Sequence, residues 1–216
     1  MSPRKHSPSP WGLVQTAETV APGITFVTTA GHGGFHLTDD RVKQMPRALR
    51  KPNGDVWFEE DCEWGLVVLS FPDLFSKKDR KLARDVVKSY FPFRYEKHYH
   101  CKLRPEESHV IRRLAFEEKT KDRYVAVSAI NSHVKGFVEV VFVKGGRDRN
   151  GHYRSNQKYY RLVSTEDYDA REEYGYHVES VTNLPPVAPE ESSFPHRRPA
   201  GQSKPLMVAG ILSGLC

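Results

Sequence analysis

Three runs dense in β-branched and aromatic residues, at 124–130, 136–143 and 158–163, follow one another with only polar loops between them. That arrangement is expected of an antiparallel β-meander, with the last two runs paired. The first half mixes its signals. Ile24 to Thr28 reads as a strand, and Thr38-Asp39-Asp40 supplies an oxygen cap and two carboxylates for a short helix ending at Met45-Pro46. The fold class is therefore α+β: an N-terminal strand and helix portion packed with a C-terminal antiparallel meander, in a single compact domain over residues 11–178. Residues 1–10, which after Met1 are Ser, Pro and basic side chains, read as a disordered leader. Residues 179–216 read as a Pro/Ser-rich flexible tail.

Between the first strand and the meander, the spacing predicts a turn at Pro52-Asn53-Gly54-Asp55, where Asn and Gly tolerate positive φ, and a short strand over 56–58. The run from Cys62 to Phe71 is nearly all apolar; it suits a buried helix, and periodicity leaves a buried strand open. Ser76 opens a helix with Leu82, Val86, Val87 and Tyr90 assigned to its core face, stopping before Pro92.

Composition bounds the class. At 216 residues with 38% apolar content, the chain can bury one good core. The formal charge of +6 and pI near 9.2 favour anionic partners, nucleic acid or an acidic protein face. Cys62, Cys101 and Cys216 are odd in number and irregular in spacing, which fits a reducing cytoplasm. The apolar run 205–212 is far short of the roughly 20 residues of a membrane span, so no membrane partner is expected.

Three clusters carry candidate chemistry. The first is the loop Thr29-Ala30-Gly31-His32-Gly33-Gly34-Phe35-His36 with the acidic run Glu59-Glu60-Asp61. His32 can serve as general base or metal ligand and His36 as a second ligand, with Glu59, Glu60 or Asp61 adding oxygens for metal-assisted hydrolysis. The plainer reading is a tight turn in which the His32 side chain hydrogen-bonds a carboxylate of the acidic run and ties two elements together. Asp61 can cap the following helix, and Cys62 beside it is either an activated thiol or a small buried hydrophobe. The second cluster, His98, His100 and Cys101, lacks the second ligand pair of a closed zinc site. The third is basic: Lys144, Arg147, Arg149, His152, Tyr153, Arg154 and Lys158, in a Gly-rich loop between two strands. Its cations suit phosphates and its tyrosine offers a stacking face. The helix stretch Lys77 to Lys81 reads as a solvated face.

The stretches Trp11-Gly12, Ala21-Pro22-Gly23-Ile24, Thr29 to Leu37, Met45-Pro46 and Trp57-Phe58-Glu59-Glu60-Asp61-Cys62-Glu63-Trp64 resemble an uncharacterised family encoded by bacteriophages, plasmids and other mobile elements. The likeness extends more weakly to about residue 178. It implies an accessory protein in the cytoplasm of a bacterial host, of the anti-defence type, which binds a host protein or protein–nucleic-acid complex and needs no cofactor. Nucleic acid as the direct partner stays open, as does the alternative of a hydrolase using a divalent metal or a histidine. A mimic of DNA would be acidic, and this chain is basic.

Overall fold

A computed structural model describes residues 2–197. The apolar run 205–212 and Cys216 lie outside the described residues. The chain is α+β with antiparallel sheets, and it divides into two compact units, residues 2–112 and 113–197, where the sequence suggests one domain over 11–178.

The first unit begins with β1 (Pro8–Ser9) and β2 (Gly12–Leu13), a hairpin built from the expected disordered leader. Local hydrogen bonds explain the difference. Ser7 and Arg4 bond reciprocally, the Ser9 hydroxyl donates to the Gly12 carbonyl, and His6 and Ser7 pair with Val14, whose side chain is buried. Then come β3 (Thr16–Ala21), β4 (Ile24–Thr28), β5 (Gly33–Leu37), α1 (Asp39–Gln44) and β6 (Trp57–Glu59). The strands form one antiparallel sheet in the order β3-β4-β5-β6. As expected, the Thr38 hydroxyl accepts from the Arg41 amide at the start of α1.

Helices cover one face of that sheet. α2 (Trp64–Ser70) settles the ambiguous apolar run as a helix, with residues 65–69 all buried. α3 (Lys77–Tyr90) opens on a reciprocal capping box between Ser76 and Asp79. Its buried residues are Ala83 and Val87, whereas Leu82 is 51% exposed and Tyr90 is exposed as well. The core face is thus rotated from the Leu82–Val86–Tyr90 side: α2 meets α3 at Gly65, and so close an approach admits Ala83 and Val87 but no leucine. α4 (Pro92–Tyr99) follows, and α5 (His109–Thr120), a helix without a counterpart in the sequence reading, crosses the division between the units. Ile24, Phe35, Leu37, Met45, Leu49, Phe58 and the apolar side chains of α2 make the core. Each fully buried side chain of this kind contributes about 1.5–3 kcal/mol.

In the second unit β7 (Tyr124–Asn131), β8 (Phe137–Lys144) and β9 (Tyr159–Ser164) form the meander, with β8 in the middle and paired to β9 as expected. α6 (Thr165–Asp169) and β10 (His177–Val178) follow, and β10 pairs with β7 to give the order β10-β7-β8-β9. Val138, Val140, Phe142 and Val163 pack on one face with Val181. Residues 179–197, expected to be flexible, are instead docked. Val181, Val187 and Phe194 are buried, and the Leu162 and Val187 amides donate to the Pro185 and Tyr160 carbonyls along the outer edge of β9. Their apolar anchors are spaced irregularly, which is why no period betrays them. Among the described residues, no helix is long and apolar enough to cross a membrane.

Candidate functional site

The glycine loop is the hairpin turn between β4 and β5. Thr29 fastens it three times: its amide and hydroxyl donate to the His32 carbonyl at 2.7 and 2.8 Å, and its hydroxyl accepts from the His32 amide at 3.2 Å. The acidic run lies directly alongside, because β5 pairs with β6 in the register Gly34 to Glu59, Phe35 to Phe58 and His36 to Trp57. The Glu60 amide donates to the Gly33 carbonyl at 3.1 Å, and the Glu60 carboxylate folds over Gly33, where a Cβ would meet Oε2 at 2.5 Å. At Gly34 a side chain would run into the Phe58 carbonyl and the Trp11 ring. The bracketing glycines therefore let β6 and Trp11 lie against β5.

His32 itself is exposed, and no hydrogen bond or ion pair joins its imidazole to Glu59, Glu60 or Asp61. The tie expected through its side chain is made by the backbone ladder instead. His36 is buried on the sheet, its ring edge against Trp57 with centroids 4.6 Å apart, and its Nδ1 has no hydrogen-bond partner. Burial lowers its pKa, against a smaller opposing pull from Asp39. With one imidazole at an exposed turn and the other buried against a tryptophan, the expected His32/His36 ligand pair does not converge. Among the described residues, no group of three or more His, Cys, Asp and Glu side chains is placed to hold a metal ion.

The carboxylates of the run are placed by their backbone. Burial raises the pKa of Glu59, whose carboxylate also accepts from the Asp61 and Cys62 amides at the turn into α2. Asp61, expected to cap α2, is exposed, and the cap position belongs to Glu63, whose side chain makes no cap bond to the helix. Glu63 accepts from the Glu59 amide at 3.1 Å and from Lys51 at 2.8 Å. Lys51 also meets Asp55 at 2.8 Å and the Trp57 carbonyl at 3.0 Å. Burial works against its charge, but these carboxylates prevail and raise its pKa. Cys62 is buried, as a small hydrophobe would be. His98 lies in the last turn of α4, and His100 is the helix's left-handed cap at φ 52°. Cys101 lines an open cleft of about 580 Å³ with Phe93, Glu96, Lys97, His100 and Lys102.

The basic hairpin between β8 and β9 is more ordered than its composition suggests. Arg147 and Tyr153 form an isolated antiparallel bridge. Inside it, Asp148 Oδ1 accepts from the Asn150 and His152 amides at 2.8 and 2.9 Å, and these bonds, that from His152 first, lower its pKa. The sequence reading gives this aspartate no role, although Asp followed two residues later by a turn amide is a familiar self-bonding pattern. Arg147 donates to the Gly151 carbonyl at 2.8 Å and the Tyr153 hydroxyl at 3.0 Å within the hairpin, and to the Val127 carbonyl of β7 at 3.5 Å. Its guanidinium and the Lys158 ammonium lie 4.3 and 4.4 Å from the Tyr153 ring centroid. Tyr153 thus holds two cations, and the expected open stacking face is taken. Arg154 donates to the Arg147 carbonyl and pairs with Glu117 at 3.6 Å, and His152 lies 3.6 Å from Asp148. The Lys144 and Arg149 side chains are exposed and without hydrogen bond or ion pair among the described residues.

Comparison with curated proteins and with solved structures returns no match. A family model described as a domain of unknown function, DUF7007, matches residues 4–121. That span takes in the N-terminal hairpin, the glycine loop and the acidic run, and it ends before the second sheet and the basic hairpin. The match covers more than half of the chain, which therefore belongs to the DUF7007 family.

Proposed function

We propose that this chain is a binding protein whose basic hairpin at residues 144–158 engages phosphate groups of a nucleic acid, within a host nucleic-acid-processing or defence complex. The setting rests on the resemblance of residues 11–178 to proteins of phages and plasmids. The contact rests on one observation: among the described residues, Lys144, Arg149 and Lys158 present charge with no carboxylate paired to them, on a loop braced by Arg147, Tyr153 and Asp148. Bracing matters because a loop that is already ordered loses less conformational freedom when it binds. Since Tyr153 is occupied by cations and Arg147 by its own loop, the hairpin meets the backbone charge of a nucleic acid and leaves base faces unread.

Fluorescence anisotropy of short labelled duplex and single-stranded DNA, titrated with the full chain over a series of salt concentrations, tests this. Binding that weakens linearly in log K against log salt, with little preference for sequence, is the expected result. No binding to either strand form at low salt would sink the reading, and preferential binding to polyglutamate would move the contact to an acidic protein face.

A further inference from the structure

Residues 179–196 run around the edge of the second sheet as a clasp. Val181 packs on the face that carries Val138, Val140 and Phe142. At 185–187 the chain follows the outer edge of β9, through the Leu162 and Val187 amides and a bridge between Arg161 and Pro186. It then reaches the opposite face, since Glu139 alternates with Val138 and Val140, and Tyr160 with Tyr159 and Arg161. There Glu139, fully buried at 0% exposure, accepts from two consecutive residues of the clasp: the Ser192 hydroxyl at 2.6 Å on Oε1 and the Ser193 amide at 2.5 Å on Oε2. Phe194, buried, sets its ring edge-on to Tyr160 with centroids 5.9 Å apart, and the Tyr160 hydroxyl meets His196 Nε2 at 3.3 Å.

The two oxygens of one buried carboxylate read a hydroxyl and the next backbone amide, and an aromatic residue follows directly. The segment is bent, between 3-10 turns at Pro189–Glu191 and Pro195–Arg197 and with the Phe194 amide donating back to the Ser192 hydroxyl at 3.2 Å, so the pattern is one for recognising a peptide turn. Its attachment along β9 is thin, because Pro185 and Pro186 carry no amide hydrogen and cannot extend the ladder. We propose that the seat formed by Glu139, Tyr160 and the β9 edge is a binding site for a turned peptide with the pattern Ser-Ser-Phe, filled in this state by the chain's own residues 188–196, which a partner segment of the same pattern displaces. The seat selects an unmodified serine, since a phosphate at that position would face the Glu139 carboxylate. This inference is independent of what the basic hairpin binds.

The test uses the full chain and a fluorescent peptide with the sequence of residues 187–196. A tethered clasp competes at an effective concentration of order millimolar, so the unaltered chain binds the peptide weakly. Phe194→Ala removes the clasp's own anchor and leaves the seat intact, and should tighten peptide binding at least about tenfold. Adding Glu139→Gln, which sets an amide NH2 against one of the two donors, should reverse that gain, and a peptide phosphorylated at the first serine should bind worse than the plain one. Equal affinity of the unaltered and Phe194→Ala chains, or indifference to Glu139→Gln, would overturn the proposal. Should Phe194→Ala lose its cooperative unfolding transition, hydrogen exchange on the unaltered chain decides. A Ser193 amide that exchanges well ahead of Val140 in β8 supports a displaceable clasp, and exchange of both only together overturns it.

Discussion

Replacing Lys144, Arg149 and Lys158 together by alanine isolates the charge of the basic hairpin from its shape. Among the described residues, the Lys144 and Arg149 side chains make no hydrogen bond or ion pair, and Lys158 gives up its place over the Tyr153 ring. Each cation withdrawn from a phosphate of B-DNA flattens the slope of log K against log salt by about 0.9, so withdrawing all three flattens it by up to about 2.7. Between 50 and 200 mM salt the logarithm of concentration changes by about 0.6, so the fall in affinity across that interval shrinks by roughly 40-fold relative to the unaltered chain. On single strands the change is smaller, at about 0.7 per phosphate. Anisotropy titrations at several salt concentrations measure the slope directly, and circular dichroism confirms the fold. Arg147→Ala is the contrasting variant. Its guanidinium holds the Gly151 carbonyl and the Tyr153 hydroxyl, so its removal loosens the hairpin as well as deleting a charge. A triple variant that keeps the original slope would refute the reasoning, because charge at these three positions would then have no part in binding.

Other expectations follow from the first unit. Gly34→Ala should destabilise by about 1–3 kcal/mol in urea unfolding, since its Cβ meets the Phe58 carbonyl and the Trp11 ring, whereas Gly31→Ala, with nothing within 4 Å, should stay within about 0.5 kcal/mol; equal effects would refute the close-packing account. His36 has its folded-state pKa lowered from 6.5 by burial, so the unfolded chain takes up the proton first. Its contribution is complete above pH 6.5 and is lost as the pH falls below it, levelling off once the pH is under the folded value, and His36→Leu should flatten this part of the stability profile measured either side of pH 6.5. His32→Ala should leave stability within about 0.5 kcal/mol and DNA binding unchanged. Turnover of a substrate that disappears with His32→Ala would restore the hydrolase alternative.

The parts of the fold that could be read from the sequence are those determined by neighbours along the chain. The Thr38 cap, the helix start at Ser76 and the three strands of the meander depend on residues within a few positions, and each is where its local chemistry puts it. What escaped depends on distant partners. The apolar side of α3 includes Leu82, yet the helix is turned so that Ala83 and Val87 meet Gly65, a choice made by α2 and invisible in the period of α3 alone. The leader and the clasp are short on apolar residues; the leader is held by backbone bonds to buried Val14 just past its end, and the clasp by Val181, Val187 and Phe194. At the candidate sites, the sequence could bring Glu59 to Glu60 beside the glycine loop through a short strand. It could not say that the backbone of β5 and β6 would make the join while the His32 imidazole stood apart.

The most distinctive wording of the chain and its free functional groups therefore fall in different places, and there is a physical reason for it. A position where a carbonyl and an indole ring press on the backbone admits glycine alone, and the strand that presses must keep the register that puts Glu59 opposite Gly34. Close packing of this kind restricts residue choice far more than solvent exposure does. A cation such as Lys144 or Arg149 needs only to be charged and unobstructed, so it leaves little mark on the sequence around it. The glycine-bracketed histidine and the acidic run are one packing unit of the DUF7007 region, whereas the groups free to meet a phosphate lie past its end, in a hairpin recognisable only once Arg147, Asp148 and Tyr153 are seen bracing it.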